Sequence, residues 1–363
     1  MRNKGSRVRK NYLVVFAYAF DPDDMVFSHQ YRAILELAKH FKKVIVIANS
    51  AKENARLPDN LHVFNIQWRE HSVFHNIIRV YFYFISALIS LKKLSSIVVF
   101  SFMTETHASL VGPITKAFNI RHILWYAHTS TPFRLSLARR LVDRILTSTQ
   151  SSIKFTDKKT LAIGQMVDER LFPKKNGRDY CKSDKWVHVG RVDPSKNIEM
   201  IIEAFLNYRS THPHSQLILI GQSTIAFQNY ENEIKGKYQH HSENGYLIFA
   251  GKRSQSEISL ALADSDLFIH AFPGSLDKTL VEATFSGIPI VTANSGFLSE
   301  FGSYCREWRK FADIQTLFAK ELESWIHSSA VDRERLVESR AKIARERHSF
   351  EHWLSNLLEQ IMS

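Results

Sequence analysis

Trp186-Val187-His188-Val189-Gly190-Arg191-Val192-Asp193-Pro194-Ser195-Lys196-Asn197 runs directly into the segment Ile198 to Phe205. The first four residues suit a short buried strand. Gly190 permits a tight turn, and Ile198, Ile201, Ile202 and Phe205 recur at helical spacing. Strand, glycine turn and helix make up one half of a βαβ unit. Arg191 and Lys196 fall in the turn, next to a helix N-terminus. There two cations and the helix dipole can converge on one anion, and a diphosphate is the natural guest. Residue types alone fit a solvated loop with two unrelated surface cations equally well. The Gly-Lys-Ser/Thr order of a Walker loop is missing.

The same alternation extends in both directions. Upstream, strands are expected at 12–19, 43–49, 61–67, 96–102, 121–127 and 144–148, with a helix at about 28–41. Downstream they are expected at 185–190, 216–221, 246–250, 266–271 and 288–292, and from 312 onward the chain reads as helix. Continuous runs such as Ile97-Val98-Val99-Phe100 fit strands covered on both faces, as in parallel sheets. The pattern lapses at Pro173-Lys174-Lys175-Asn176-Gly177-Arg178-Asp179, which is polar and turn-rich. The expected architecture is α/β. An N-terminal Rossmann-like domain occupies 1–170, a linker 171–184 and a second Rossmann-like domain 185–345, with a closing helix at 346–363 crossing back to the first domain and a cleft between the two.

Composition agrees. The chain has 363 residues, 44% hydrophobic and 23% charged, enough for about two globular domains. Cys181 and Cys305 form neither a disulfide framework nor a metal-ligand spacing, so a reducing compartment is expected. The formal charge is +12, and residues 1–165 alone carry +14. That asymmetry points the first half toward an anionic partner. Ahead of Gly164 the only glycines are Gly5 and Gly112, so a glycine-dependent phosphate site belongs to the second half.

Two segments bear on membranes. Arg2, Lys4, Arg7, Arg9 and Lys10 precede the apolar run Tyr12 to Phe20, in the manner of a signal peptide. The run is aromatic and β-branched and ends in the turn Asp21-Pro22-Asp23-Asp24, which favours a first buried strand. Val73 to Leu91 is interrupted by His75, Asn76 and Arg79 and reads as a buried or interfacial helix, so no transmembrane span is expected.

A second motif, Gly274-Ser275-Leu276-Asp277-Lys278-Thr279-Leu280-Val281-Glu282-Ala283, follows the strand Leu267 to His270. A helix beginning near Asp277 would aim the backbone N–H groups of 276–279 at phosphate or sugar oxygens. Glu282, one turn further in, could accept from a ribose diol. The plainer alternative is an N-cap at Asp277 and a surface carboxylate at Glu282.

In this order the two motifs resemble the retaining glycosyltransferases of family 4, which have the GT-B fold. Gly190 to Phe205 is similar to that family's Gly-Arg-x-x-x-x-Lys donor signature, and Gly274 to Val291 to its Glu-x7-Glu region. The likeness extends to Leu124-Trp125-Tyr126-Ala127-His128, Ile163-Gly164-Gln165-Met166-Val167-Asp168, Phe249-Ala250-Gly251 and Phe350-Glu351-His352-Trp353. It implies that Arg191 and Lys196 bind the donor diphosphate, that Glu282 binds the ribose, and that His128 faces the sugar across the cleft. Gly190, Gly251, Lys252, Arg253, Gly274, Ser275, Leu276, Asp277, Lys278 and Thr279 would complete the donor site. One position departs: the first Glu of Glu-x7-Glu falls on Gly274, leaving its sugar contact to Asp277 or the backbone.

On the acceptor side, His29, Glu105 and His107 follow strand ends. The triplets Asp21-Pro22-Asp23 and Asp264-Ser265-Asp266 read as turns, and no metal or other cofactor is expected. Arg134, Arg139, Arg140 and Arg144, with the basic tail and the pairs Lys42-Lys43, Lys92-Lys93 and Lys158-Lys159, could form a face for anionic lipid. No nucleic-acid motif is present. The resulting expectation is a metal-independent, retaining hexosyltransferase. It would be cytoplasmic or peripheral on the cytoplasmic membrane face, and would take a UDP- or GDP-sugar and a glycan or lipid-linked acceptor. The alternatives are another GT-B enzyme, such as a nucleotide-sugar epimerase, and a non-catalytic basic membrane-binding scaffold with a degenerate donor site.

Overall fold

The computed structural model describes residues 12–24, 27–52, 57–91, 93–155 and 157–363. The basic tail at 2–10 and Lys92 lie outside them. The chain divides into two compact units, Met1–Gly164 with Trp353–Ser363, and Gln165–His352.

The first unit is built on a seven-stranded sheet of order β3-β2-β1-β4-β5-β6-β7. Its strands are β1 (Tyr12–Phe20), β2 (Lys43–Ala51), β3 (Leu61–Asn65), β4 (Ile97–Phe102), β5 (Arg121–Trp125), β6 (Arg144–Thr147) and β7 (Thr160–Ala162). All neighbouring strands are parallel. The helices are α1 (Ser28–Ala38), α2 (Val73–Leu91), α3 (Glu105–Ala117) and α4 (Phe133–Leu141). The apolar run after the basic tail is thus a strand, paired on one side with β2 and on the other with β4. Its side chains are covered on both faces, which explains its unbroken hydrophobicity. The strand order reverses between β1 and β4. At that point the buried Gln30 accepts from Tyr18 N–H (3.0 Å) and donates to the Phe102 carbonyl (3.1 Å), tying the two strand ends together.

The second unit has a five-stranded parallel sheet of order β10-β9-β8-β11-β12. Its strands are β8 (Lys185–Val189), β9 (Gln216–Ile220), β10 (Leu247–Gly251), β11 (Leu267–His270) and β12 (Ile290–Thr292). Its helices are α5 (Ile198–Arg209), α6 (Gln228–Lys237), α7 (Gln239–Glu243), α8 (Gln255–Asp264), α9 (Lys278–Ser286), α10 (Ser295–Phe301), α11 (Ile314–Ile326) and α12 (Ala330–His348). Trp186, Phe205, Phe268 and Trp325 fill the core. Buried Arg340 of α12 donates to the carbonyls of Ile290 (2.9 Å) and Gly302 (2.8 Å), which fixes the end of the sheet.

Two boundaries differ from expectation. Residues 171–184 belong to the second unit: Phe172 and Tyr180 are buried, and Arg178 donates to the Leu262 carbonyl (2.9 Å). The polar composition of this stretch reflects hydrogen bonding to the unit's own backbone. The last helix, α13 (Phe350–Met362), enters the first unit from Trp353 onward. There the Trp353 ring stacks on Phe102 at 5.7 Å and meets Trp125 edge-on at 5.6 Å. The sequence reading also missed β7, a three-residue edge strand without a distinctive apolar run.

Candidate functional site

The order of the second sheet reverses between β8 and β11, and open parallel sheets bind ligands beyond the strand C-termini at such a point. Both candidate motifs emerge there, one after β8 and one after β11.

The first loop is pinned by close backbone approach. A Cβ on Gly190 would lie 2.9 Å from His188 Nε2. Gly221, after β9, has φ +139°, and a Cβ there would sit 1.8 Å from the Gly190 carbonyl oxygen. Only glycine fits at 221. Gly190 N–H donates to Ile220 (3.0 Å) and Gly221 N–H to Gly251 (2.9 Å), so three strand ends are laced together. Asp193 then caps a short 3-10 turn, Pro194–Lys196, accepting from Ser195 N–H at 3.0 Å. Asn197, left-handed at φ 51°, donates to the Ala271 carbonyl (2.9 Å) and starts α5. The half-exposed Arg191 lies 3.4 Å from Asp193.

The two loops meet at Lys196. Its buried ammonium pairs with the Asp277 carboxylate and stands 4.0 Å over the Phe272 ring. The same Asp277 oxygen is 3.3 Å from His270 Nε2, and His270 Nδ1 is 3.0 Å from Thr292 Oγ1. Asp277 also caps α9 by accepting from Thr279 N–H at 3.3 Å. The Thr279 amide, expected to be open to a ligand, is therefore engaged. Burial by itself would raise the Asp277 pKa, but the Lys196 charge and the His270 hydrogen bond hold it well below the usual carboxylate range. Burial pushes His270 down, against the opposing pull of Asp277, and His188 down to about 3, so the His188 ring is neutral at pH 7. Among the described residues, three buried polar atoms of these two segments have no hydrogen-bond partner: His188 Nε2, Asp193 Oδ2 and Thr279 Oγ1. Buried polar atoms in that state mark a place where a ligand or water completes the network.

The other expected donor-side residues lie in the same unit. Glu282 is buried on α9, 3.0 Å from Lys278 Nζ. Ser275 and Leu276 are buried in the loop. Gly251 ends β10 at φ +67°, followed by exposed Lys252 and Arg253; Arg253 is 3.3 Å from Glu257 in the capping box of α8. Gly274 has a specific reason to be glycine here: a Cβ would fall 2.1 Å from the tip of the Phe272 ring. Phe272 therefore occupies the space into which a side chain at 274 would point. Asn294 was not singled out from sequence. It is fully buried, caps α10, and donates to the carbonyls of Phe272 (3.0 Å), Gly274 (3.2 Å) and Ser275 (3.1 Å). An Asn-Ser-Gly turn gives no sign of this long-range role.

In the first unit, His29 packs edge-on against Phe102 (6.0 Å), and His128 Nδ1 accepts from Ser130 N–H (2.9 Å). Glu105 opens α3 just beyond β4, and burial raises its pKa. His107 does not fit an acceptor contact. It is buried between Phe16 and Trp68, and burial lowers its pKa to about 3. The periodicity of α3 turns it to the core together with Ala108, Val111 and Gly112. The first Asp-x-Asp triplet performs turn chemistry, Asp21 accepting from Asp23 N–H (2.9 Å); the second instead ties the start of β8, Asp266 accepting from Lys185 N–H (2.9 Å) and Asp264 pairing with Lys185 Nζ (2.9 Å). Among the described residues no three His, Cys, Asp or Glu side chains group as metal ligands.

Residues 172–342, wholly inside the second unit, match the family model described as Glycosyl transferases group 1. No curated protein matches the chain by sequence. Solved structures match over the full length. Anabaena Alr3699/HepE, in complex with UDP and glucose, has TM-score 0.71 at 15% identity, covering 98% of this chain and 100% of its own. Sucrose-phosphate synthase from Thermosynechococcus elongatus has TM-score 0.73 at 13% identity, covering 96% and 98%. The N-terminal domain of Candida albicans trehalose-6-phosphate phosphatase has TM-score 0.71 at 12% identity, covering 100% and 98%. At these identities the likeness is one of fold. The chain has two Rossmann-like, doubly wound parallel-sheet units and C-terminal helices, which is the GT-B fold.

Proposed function

We propose that this chain is a retaining glycosyltransferase of family 4, moving a sugar from a nucleotide diphosphate sugar to an acceptor hydroxyl. The observation that carries the reading is the convergence of the Gly190–Asn197 and Gly274–Glu282 loops on Lys196 at the strand-order reversal of the second unit. The group 1 match covers both loops, and the HepE structure of like fold was solved with UDP and glucose.

In this reading Arg191 and Lys196 take the donor diphosphate, assisted by the N-terminal end of α9. Positive charge placed where negative charge develops on the leaving oxygen lowers the barrier electrostatically. Two side-chain cations and a helix dipole perform that task without a divalent ion. Glu282 takes the ribose, and Lys252 and Arg253 border the base. Asp277, held ionised, and the backbone at Gly274 take over the sugar contact that a glutamate makes elsewhere in the family. The leaving phosphate accepts the acceptor proton on the same face, so no protein nucleophile is required. The first unit holds the acceptor, a glycan or lipid-linked hydroxyl, on the cytoplasmic side.

The test is nucleotide release from a panel of UDP- and GDP-sugars in the presence of a chelator, followed by NMR of the anomeric proton in the product. The reading expects release from one donor class, undiminished by the chelator, with the donor's configuration kept. Inversion, or dependence on added Mg²⁺ or Mn²⁺, would overturn the mechanism. Release of a free epimer without acceptor would make the chain an epimerase.

A further inference from the structure

Helix α2 is apolar on two opposite faces. Asn76, Val80, Phe84, Ala87, Leu88 and Leu91 are buried against the sheet. Phe74, Ile78, Phe82, Ile85 and Ile89 point outward, with Phe74 and Ile89 each 70% exposed and Phe82 64%. At 100° per residue these five fall within an arc of roughly 80°, in a stripe about 22 Å long. Single exposed apolar residues are ordinary, but a contiguous stripe marks an interaction surface.

The stripe has neighbours of the same character. α3 packs between α2 and α4. Phe118, capping α3, and Phe133 and Leu137 on α4 are exposed too. From 71 to 142 the sequence contains eight Lys/Arg and a single acidic residue, Glu105. Lys93, Lys116, Arg134 and Arg140 of this stretch are exposed. Apolar side chains bordered by cations on an acid-poor surface are the chemistry of an interfacial helix.

We infer that α2 seats the first unit on an anionic phospholipid bilayer, with its outward stripe inserted at the headgroup–acyl boundary and the surrounding cations on the headgroups. A second copy of the chain is disfavoured as occupant, because the face would stack its own cations on one another. By length and composition α2 could also cross a membrane. In this fold it is the crossover from β3 to β4, and spanning would strip its inner face from the sheet, so it lies in the interface plane. The inference does not depend on the donor chemistry.

The experiment is flotation of the full chain with phosphatidylcholine vesicles, with and without about 30 mol% phosphatidylglycerol, at about 0.1 and 0.5 M salt. Two variants run alongside: Phe82→Gln with Ile85→Gln and Ile89→Gln, and Arg134→Gln with Arg140→Gln. All five positions are exposed or border solvent, and circular dichroism checks that the variants fold. Binding to the anionic vesicles is expected, weakened by salt. It should fall at least tenfold in the α2 variant and lose salt sensitivity in the arginine variant. A folded wild-type chain that ignores anionic vesicles would overturn the proposal. So would equal binding by the α2 variant, or light scattering showing a dimer that the α2 variant dissolves while vesicles go unbound.

Discussion

Asp277→Asn removes one charge from the buried Lys196–Asp277 pair while keeping the side chain's size and its ability to cap α9. Among the described residues Lys196 then has no ion-pair partner, only the Phe272 ring at 4.0 Å. Stripping one partner from a buried pair costs roughly 3–5 kcal/mol. The Asp277 side chain is 15% exposed and the ring retains part of the attraction, so about 2–4 kcal/mol is expected here. Because two units need not unfold as one transition, the assay is hydrogen exchange of peptides covering β11 and α9. Protection there should fall roughly 30- to 1,000-fold. Lys196→Met added to Asp277→Asn should restore most of it, since neither charge then remains unpaired. An Asp277→Asn chain with unchanged protection, or a double variant worse than the sum of its parts, would refute the reasoning.

Gly221→Ala places a Cβ 1.8 Å from the Gly190 carbonyl at φ +139°, so the chain should lose at least about 3 kcal/mol or fail to fold, as read by thermal denaturation. Gly274→Glu collides with the Phe272 ring; a cost of about 1–3 kcal/mol is expected, relieved when Phe272→Ala is added. Acid should destabilise the chain through its buried histidines. His107, His122 and His188 are each lowered by burial from 6.5 to about 3. Between those values the unfolded chain binds protons that the folded chain excludes, so stability falls as pH falls, by up to ~1.4 kcal/mol per histidine per pH unit. The melting temperature should therefore drop steeply below about pH 6.5, and a flat profile from 7 to 4.5 would contradict the burial argument.

The features legible in the sequence were those written in consecutive residues. Gly190 through Phe205 encodes strand, turn and helix within one stretch, and the structure places it as β8, a capped turn and α5. The Asp277 cap and Glu282 one turn on were equally local. What could not be read involves distant partners. Nothing around Gly221 announces that the Gly190 carbonyl will press against it, and Asn294 and His270 acquire their roles only when β11 and β12 lie side by side. Phe272 likewise explains Gly274 only in three dimensions. In α2, helical periodicity marks two apolar faces, but it is the sheet that decides which one is covered. The same limit applies to His107, whose neighbours Phe16 and Trp68 come from β1 and the segment after β3.

The central claim is that Arg191 and Lys196 hold a nucleotide diphosphate. The most direct measurement is thermal shift of the wild-type chain and of Arg191→Ala with Lys196→Ala, in the presence of UDP, GDP, ADP and CMP and of UDP- and GDP-sugars. The account predicts stabilisation by one diphosphate family, absent with CMP and lost in a double variant that remains folded. A well-folded wild-type chain that no nucleotide stabilises even at millimolar concentration, or a double variant stabilised as strongly as wild type, would contradict it.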